Sequence, residues 1–306
     1  MGLSVKNIIK TYGDCNVVND ISFDIKEGEI LGLVGHNGAG KTTTFRMILG
    51  LIEKNSGCIT WNDKDISYLN KDLIGYLTEE RGLSDKMTVE AQIKFFANLH
   101  GMTNKEVESV MDNYLEKFGL KDKKKSRTDT LSKGNQQKLQ LLISIIHNPK
   151  LLILDEPFSG LDPINSDLLK EVVLDMKKKG TTIILSSHQM DNIEEMCEKV
   201  CLIKKGKCLF TGRIEDLKKQ YGKSIIYLKS SKDLNELRKI NEIESIEVIK
   251  DEYRIKIKDE LDAKKIFEEL YKDEFIEKFS LEYPSLHDIF KDKMGEKEYE
   301  KSYSNF

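Results

Sequence analysis

The chain opens with apolar residues at every second or third position, first Leu3, Val5 and Ile8 and later Ile21, Phe23 and Ile25. That near-alternation predicts antiparallel strands with one covered face. The rhythm then breaks. Glu29–Val34 reads as an almost continuous apolar run, as expected of a strand covered on both faces. It leads into a glycine-rich loop and a helical pattern over Thr42–Leu49. Helical spacing returns at Val89–His100, with Ile93, Phe96, Ala97 and His100 on one side, and at Lys105–Phe118. Two more buried strands are expected at Leu151–Leu154 and Thr181–Ser186, with helices at Ile164–Lys179 and Met190–Lys199. Strands alternating with helices predict an α/β fold with a largely parallel sheet.

Near Tyr221 the pattern changes character. Strand-like Ser224–Lys229, helix-like Leu234–Ile240, alternating strands at Ile246–Ile249 and Tyr253–Ile257, a helix at Asp262–Leu270, a strand at Ile276–Leu281 and a short helix after Pro284 predict a small α+β domain. We therefore expect one domain over residues 1–220 and a second over 221–306, ending in a polar tail at Gly295–Phe306.

Composition narrows the class. The 306 residues are 39% hydrophobic and 33% charged, with a net charge of −3, too apolar for disorder and too polar for an integral membrane protein. The longest apolar runs, such as Leu141–Ile146, fall far short of the roughly 20 residues that span a bilayer. The N-terminus carries no apolar segment followed by a small-residue cleavage site, so no signal peptide is expected. The slight negative charge gives no basic face for gripping a phosphate backbone, so no nucleic-acid partner is expected. The basic stretch Lys121–Arg127 reads as a solvated loop. Five scattered cysteines, two of them (Cys197 and Cys201) four apart on an expected helix, lack a second ligand pair for zinc and read as free thiols.

Candidate chemistry sits at the ends of the buried strands. Gly35-His36-Asn37-Gly38-Ala39-Gly40-Lys41-Thr42, continuing to Thr43, fits a phosphate loop between a strand and a helix. Its glycines let backbone N–H groups face phosphate oxygens, and the helix N-terminus adds a favourable dipole. Lys41 supplies a charge for the β- and γ-phosphates, and the Thr42 hydroxyl a ligand for Mg²⁺. Leu151–Leu154 ends in Asp155 and Glu156. Asp155 can hold Mg²⁺, and Glu156 can polarise an attacking water. Leu131-Ser132-Lys133-Gly134-Asn135-Gln136-Gln137-Lys138 places Ser132 as a helix N-cap and a second anion-binding nest, although read alone it could be an ordinary capped helix.

In order, the phosphate loop, the Leu131–Lys138 segment, Leu151–Pro157, Ser159-Gly160-Leu161-Asp162 and a strand ending in His188 resemble the ABC ATPases over roughly residues 3–220. The resemblance implies a phosphate-loop NTPase core with an antiparallel β subdomain and a helical subdomain. It also implies ATP and Mg²⁺ as cofactors and hydrolysis of ATP. It implies a head-to-tail pair of ATPase subunits, expected to be a homodimer, in which Ser132, Gly134 and Asn135 of one subunit close on the γ-phosphate held by the other, with Asp162 at the boundary. His188 would sense the γ-phosphate, and Tyr12 would stack on adenine. Two departures from the usual pattern stand out: Lys133 and Asn135 replace residues common in the signature, and Glu79 stands where a glutamine is usual. Glu79 can ligate Mg²⁺ but cannot donate to a water; it could equally do no more than solvate its loop.

The strings Glu79–Leu83, Leu131–Lys138 and Ser186–Met190, with Pro284–Phe290 near the C-terminus, are similar to bacterial exporter ATPases of the sodium-extrusion and bacitracin- or lantibiotic-resistance types. That implies a separate transmembrane permease and a place on the cytoplasmic face of the membrane. In this family the loop after Glu79 receives the permease, so Leu83 and Met87 either meet that partner or tuck into the chain's own helices.

Overall fold

The computed structural model describes residues 2–80, 82–231, 237–271 and 275–295. Two compact units divide the chain, Met1–Gly212 and Arg213–Phe306. The first three residues of the expected helix at Leu234–Ile240 fall outside the described residues, and so does the polar tail beyond Gly295.

In the first unit the alternating N-terminal residues form β1 (Gly2–Tyr12) and β2 (Cys15–Lys26), paired antiparallel with Val5 opposite Phe23. Two strands that the hydrophobic pattern does not announce, β4 (Ser56–Trp61) and β5 (Lys64–Asp65), complete a sheet in the order β2-β1-β4-β5. A second sheet is built on β3 (Ile30–Val34), whose five residues are all buried. It pairs in parallel with β8 (Thr182–Ser187) on one side and β9 (Lys199–Lys204) on the other. With β6 (Ile74–Leu77), β7 (Leu151–Leu154) and β10 (Lys207–Arg213) the order is β10-β9-β3-β8-β7-β6. Between the sheets lies α1 (Lys41–Ile48), with Phe45 and Ile48 in one core with Leu3, Val5, Phe23, Leu31 and Ile153.

A group of helices completes this unit. Thr88 caps α2 (Val89–Leu99), and Thr103 and Glu106 form a reciprocal capping box at α3 (Asn104–Lys117). Ser132 caps α4 (Lys133–Ile145), whose residues from Leu139 on are all buried, as expected of a helix apolar all round. Two helices flank β8: α5 (Pro163–Lys178), capped by Asp162, and α6 (Met190–Met196). The expectation that helix persists to Lys199 is corrected. Cys197 turns to φ −102°, ψ 140°, and Lys199 onward pairs with β3, where an apolar run is covered better than on a helix. Cys197 and Cys201 therefore do not share a helix. In the basic stretch, Lys121 and Lys124 pair with Glu116 and Asp112 on α3.

The second unit begins with α7 (Ile214–Tyr221). The division falls before this helix rather than at residue 221. The reason is that the Tyr221 hydroxyl donates to Asp292 (3.0 Å) on the C-terminal helix, binding α7 to the second core. Strands β11 (Ile225–Ser230), β12 (Ile243–Ile249), β13 (Glu252–Ile257) and β14 (Ile276–Glu282) pair antiparallel in the order β12-β13-β11-β14. The sequence places α8 (Asp262–Tyr271) between β13 and β14, and α9 (Leu286–Met294) comes after β14. Ile226, Leu228, Ile255, Ile257, Ile266 and Leu270 share its core.

One contact ties the helices of the first unit to its sheet. His147, between α4 and β7, lies 3.2 Å from the Ile74 carbonyl through Nε2 and stacks on His100 at 3.9 Å. Burial, then the His100 ring, pushes the His147 pKa down from 6.5 to about 4. A base depressed in the folded state contributes fully above its unfolded pKa and loses its contribution as pH falls through the folded value. The window is therefore 6.5 down to about 4, with a slope of up to about 1.4 kcal/mol per pH unit for one proton. His147→Gln can still donate to Ile74 and does not titrate. Urea unfolding should show a shallower acid decline in this variant than in the parent, and parallel declines would overturn the assignment.

Candidate functional site

Parallel register aligns the C-terminal ends of four strands. Val34 pairs with Ser187, Leu154 with Leu185, and Leu77 with Leu154. The segments leaving these strands therefore arrive at one sheet edge, where ligands bind in open α/β sheets. After β3 comes the loop Gly35–Gly40, after β7 come Asp155 and Glu156, after β8 comes His188, and after β6 comes Glu79.

The loop wraps a cavity of about 320 Å³ lined by Val17, His36–Thr43, Glu79 and Glu156. Two of its glycines are required by space. A Cβ on Gly35 would stand 2.6 Å from the Ile203 carbonyl, and one on Gly40 2.7 Å from the Val17 carbonyl. Gly40 also holds φ +105°, as the N-cap of α1, and provides no side-chain cap. The first N–H groups of α1 thus remain available to an anion, the first turn carries no acid, and the dipole favours negative charge.

Behind the loop is a buried charge cluster. Lys41 donates to the Gly35 carbonyl (2.7 Å) and lies 3.5 Å from Glu156 Oε1. Glu156 Oε2 is 2.8 Å from His188 Nδ1. Burial pushes the Glu156 carboxyl up, but the His188 hydrogen bond and the Lys41 charge outweigh it and the pKa is lowered. His188 is raised in turn, chiefly by its bond to Glu156. Glu156 Oε1 is buried without a hydrogen-bond donor, the position of an acceptor that can take a proton from a water. Asp155 Oδ2 accepts from the Thr42 hydroxyl (2.7 Å) and Oδ1 from the Ser186 hydroxyl (2.6 Å).

The donors at this edge suit a hard cation: the Thr42 hydroxyl beside the Asp155 carboxylate, with Glu79 and Glu156 on the same cavity wall. Among the described residues no three His, Cys, Asp or Glu side chains form a metal cage. Partial burial, then the Asp155 and Glu156 charges, pushes the Glu79 carboxyl up against the lowering effect of Lys41.

Not every expected residue joins this cavity. Ser132, accepting from the Asn135 N–H, and the exposed Asp162, accepting from the Asn165 N–H, lie outside its lining, as does Gly134, whose added Cβ would meet Asn165 at 3.4 Å. The signature and Asp162 are thus neighbours of each other, through Asn165, rather than of the phosphate loop of the same chain. Tyr12 is half exposed at the β1–β2 turn, with Lys10 Nζ 5.2 Å above its ring. Sequence reasoning missed Val17, which lines the cavity from β2. It also missed Ser186, whose one signal was a hydroxyl near the end of a buried apolar strand.

The family profile described as “ABC transporter” matches residues 18–159, and that of the “ATP-binding protein DrrA1-3-like, C-terminal domain” matches residues 212–294. The chain is 44% identical over 293 residues to the “Uncharacterized ABC transporter ATP-binding protein YhaQ” of Bacillus subtilis, covering 96% of this chain and 98% of that protein. It is 34% identical over 237 residues to the “Linearmycin resistance ATP-binding protein LnrL” of the same organism, covering 76% of each. A solved structure described as “Structure of ATP binding subunit of ABC transporter” superposes with a TM-score of 0.68 at 32% identity, covering 72% of this chain and 94% of that one.

The Gly40 geometry gives a direct test. Alanine at φ +105° against the Val17 carbonyl carries a backbone penalty of roughly 1–3 kcal/mol before any steric cost. Alanine at Gly38, also at positive φ (+77°), carries a similar backbone penalty but meets open space, so the pair isolates the Val17 contact. Gly40→Ala should therefore weaken binding of a fluorescent ATP analogue far more than Gly38→Ala, and equal effects would overturn the packing argument.

Proposed function

The chain belongs to the ATP-binding subunits of ABC transporters, an ATPase family that works with transmembrane permeases, and from that membership we propose how this chain's residues carry the work. The observation that carries the reading is the division of the expected residues into two groups. Lys41, Thr42, Glu156 and Glu79 line one cavity, with Asp155 bonded to Thr42 and His188 to Glu156, while Ser132, Gly134 and Asp162 lie outside it as a separate group. A second copy docked head to tail would bring that cluster to the γ-phosphate, so ATP would be held between two subunits.

In this reading Gly35–Thr43 cradle the phosphates and Tyr12 stacks on the adenine with Val17 beneath. Thr42, Asp155 and Glu79 would hold Mg²⁺, which supplies charge neutralisation to the phosphate oxygens. Glu156 is the general base. Lys41, now spent on Gly35 and Glu156, would turn to the phosphates when ATP arrives. Loss of that neighbouring cation raises the basicity of Glu156 as the attacking water is positioned. His188, fixed through Nδ1, would turn its ring to the γ-phosphate.

Among the described residues no helix is long and apolar enough to cross a membrane. A peripheral place on the cytoplasmic face, through the permease, follows from the family. A docking surface for it is at hand: a cavity of about 350 Å³ whose lining includes Leu49, Leu51, Tyr76, Leu83, Phe96 and Ile143. Leu83 faces this groove half-buried, whereas Met87 does not line it. Export is the direction we propose, supported by the resistance function in the name of LnrL. The second unit, whose sequence carries no nucleotide motif, would be accessory.

Glu156→Gln keeps the shape of the site and removes the base. It should bind ATP, lower turnover by about 100-fold or more and purify with ATP as a dimer in light scattering. Adding Ser132→Arg should return that dimer to monomers that still bind ATP. Near-normal ATPase activity in the first variant, or a persistent dimer in the second, would overturn the assignment. Leu83→Asp should leave folding and ATP binding intact while abolishing co-purification with the permease. Full recovery of the complex would remove the groove from coupling.

A further inference from the structure

Glu156 is held in an unusual backbone conformation. Its φ is +50°, in the left-handed region that a residue with a Cβ enters only when its surroundings impose it. It comes directly after β7, and the left-handed turn swings its side chain away from the strand direction toward Lys41 and His188. Some contact must hold that turn.

The neighbouring strand supplies it. Leu154 is in register with Leu185, which sets Ser186 beside Asp155 and Glu156. Ser186 is fully buried. Its hydroxyl accepts from the Glu156 N–H at 2.9 Å and donates to Asp155 Oδ1 at 2.6 Å. Other buried hydroxyls bond to single backbone groups: Thr44 donates to the Gly40 carbonyl, Ser144 to the Leu141 carbonyl, Thr128 to the Ser84 carbonyl and Thr181 to the Pro149 carbonyl. Ser186 is instead spent on two successive acidic residues. Two residues further along, His188 grips the Glu156 carboxylate through Nδ1 at 2.8 Å. Strand β8 thereby holds Glu156 at both ends, backbone and carboxylate.

We propose that Ser186 is a positioning residue for hydrolysis: its hydroxyl fixes the left-handed backbone of Glu156 and turns the Asp155 carboxylate so that Oδ2 alone faces Thr42. The proposal rests on the reading of Glu156 as the base and adds a residue that touches neither nucleotide nor water. Occupying Oδ1 leaves Asp155 one oxygen for the cation edge. Fixing the Glu156 N–H sets the direction in which Oε1 points. Without the hydroxyl, a buried N–H and a buried carboxylate oxygen lose their partners, and the base is free to drift from its line to the water. Displacement of a reacting group by about 1 Å costs up to roughly 100-fold in rate.

The test uses the full-length protein and three variants. Ser186→Ala removes the hydroxyl. Ser186→Thr and Ser186→Val differ from each other in little but the hydroxyl, so the pair separates hydrogen bonding from packing. Kd for ATP without divalent cation, KM, kcat, melting temperature and Mn²⁺ affinity by electron paramagnetic resonance of the ATP complex are measured on each. The expected result is kcat down about 10-fold or more in Ala and Val, Kd and KM within about two-fold of the parent, Mn²⁺ bound more weakly, and kcat recovered in Thr. Wild-type kcat in Ala and Val overturns the proposal. So does an equal loss in Thr and Val, which assigns the effect to packing, and so does a loss confined to KM. If Thr fails to fold, the Ala variant decides by the same split of kcat from KM and by its Mn²⁺ affinity. Glu156→Gln is assayed alongside. If it still hydrolyses ATP, the reading of the base has failed. If it is inactive while Ala and Val turn over normally, only the role of Ser186 has failed.

Discussion

A carboxylate buried at the end of β7 is the constraint around which this molecule is arranged. Glu156 is only 6% exposed, and an isolated buried charge would be neutralised rather than tolerated. Lys41 and His188 keep it ionised, and they arrive from two other strands of the same sheet. That compensation requires β3, β7 and β8 to be adjacent, parallel and in register, which in turn requires α1 to leave the sheet where Gly40 turns it. Breaking one partner would leave an uncompensated buried charge, a greater loss than the pair itself is worth.

The same cluster stores the sensitivity of the site to its nucleotide. Lys41 is 6% exposed and committed to the Gly35 carbonyl and Glu156. A polyphosphate offers it a stronger partner, and every contact Lys41 gives up changes the charge felt by Glu156. With Glu156 as the proposed base, binding and its readiness would be linked through one side chain, and the His188 bond to Glu156 would extend the link to the end of β8. The Ser186 hydroxyl belongs to the same cluster, since it holds the Glu156 backbone N–H and the Asp155 carboxylate together.

The apolar groove beside Leu83 and the exposed Ser132–Asp162 cluster are each incomplete as free surfaces. One presents uncovered hydrophobic walls, and the other a capped helix start with no acid in its first turn. Both features accord with a subunit that functions in an assembly, and the permease expected of the family suits the groove. The second unit keeps its own core, with the Arg254 guanidinium held by Asp288 at 2.6 Å and α7 tied to α9.

Much of this was legible in the sequence, for identifiable reasons. Local patterning determined the strands buried on both faces, because Ile30–Val34 and Leu151–Leu154 have no polar face to show. The glycines, Lys41 and Thr42 were readable because phosphate chemistry demands those residue types at that spacing. The strands β4, β5 and β9 were not, since their pairing depends on distant partners rather than on their own period. Nor could sequence place α7 with the second core, because the Tyr221–Asp292 contact joins residues far apart in the chain. Val17 carries no local mark, and Ser186 carries only a hydroxyl near the end of an apolar strand, because both act through a neighbouring segment. Only the register of parallel strands, set by packing across the whole sheet, brings the Ser186 hydroxyl to Asp155 and Glu156.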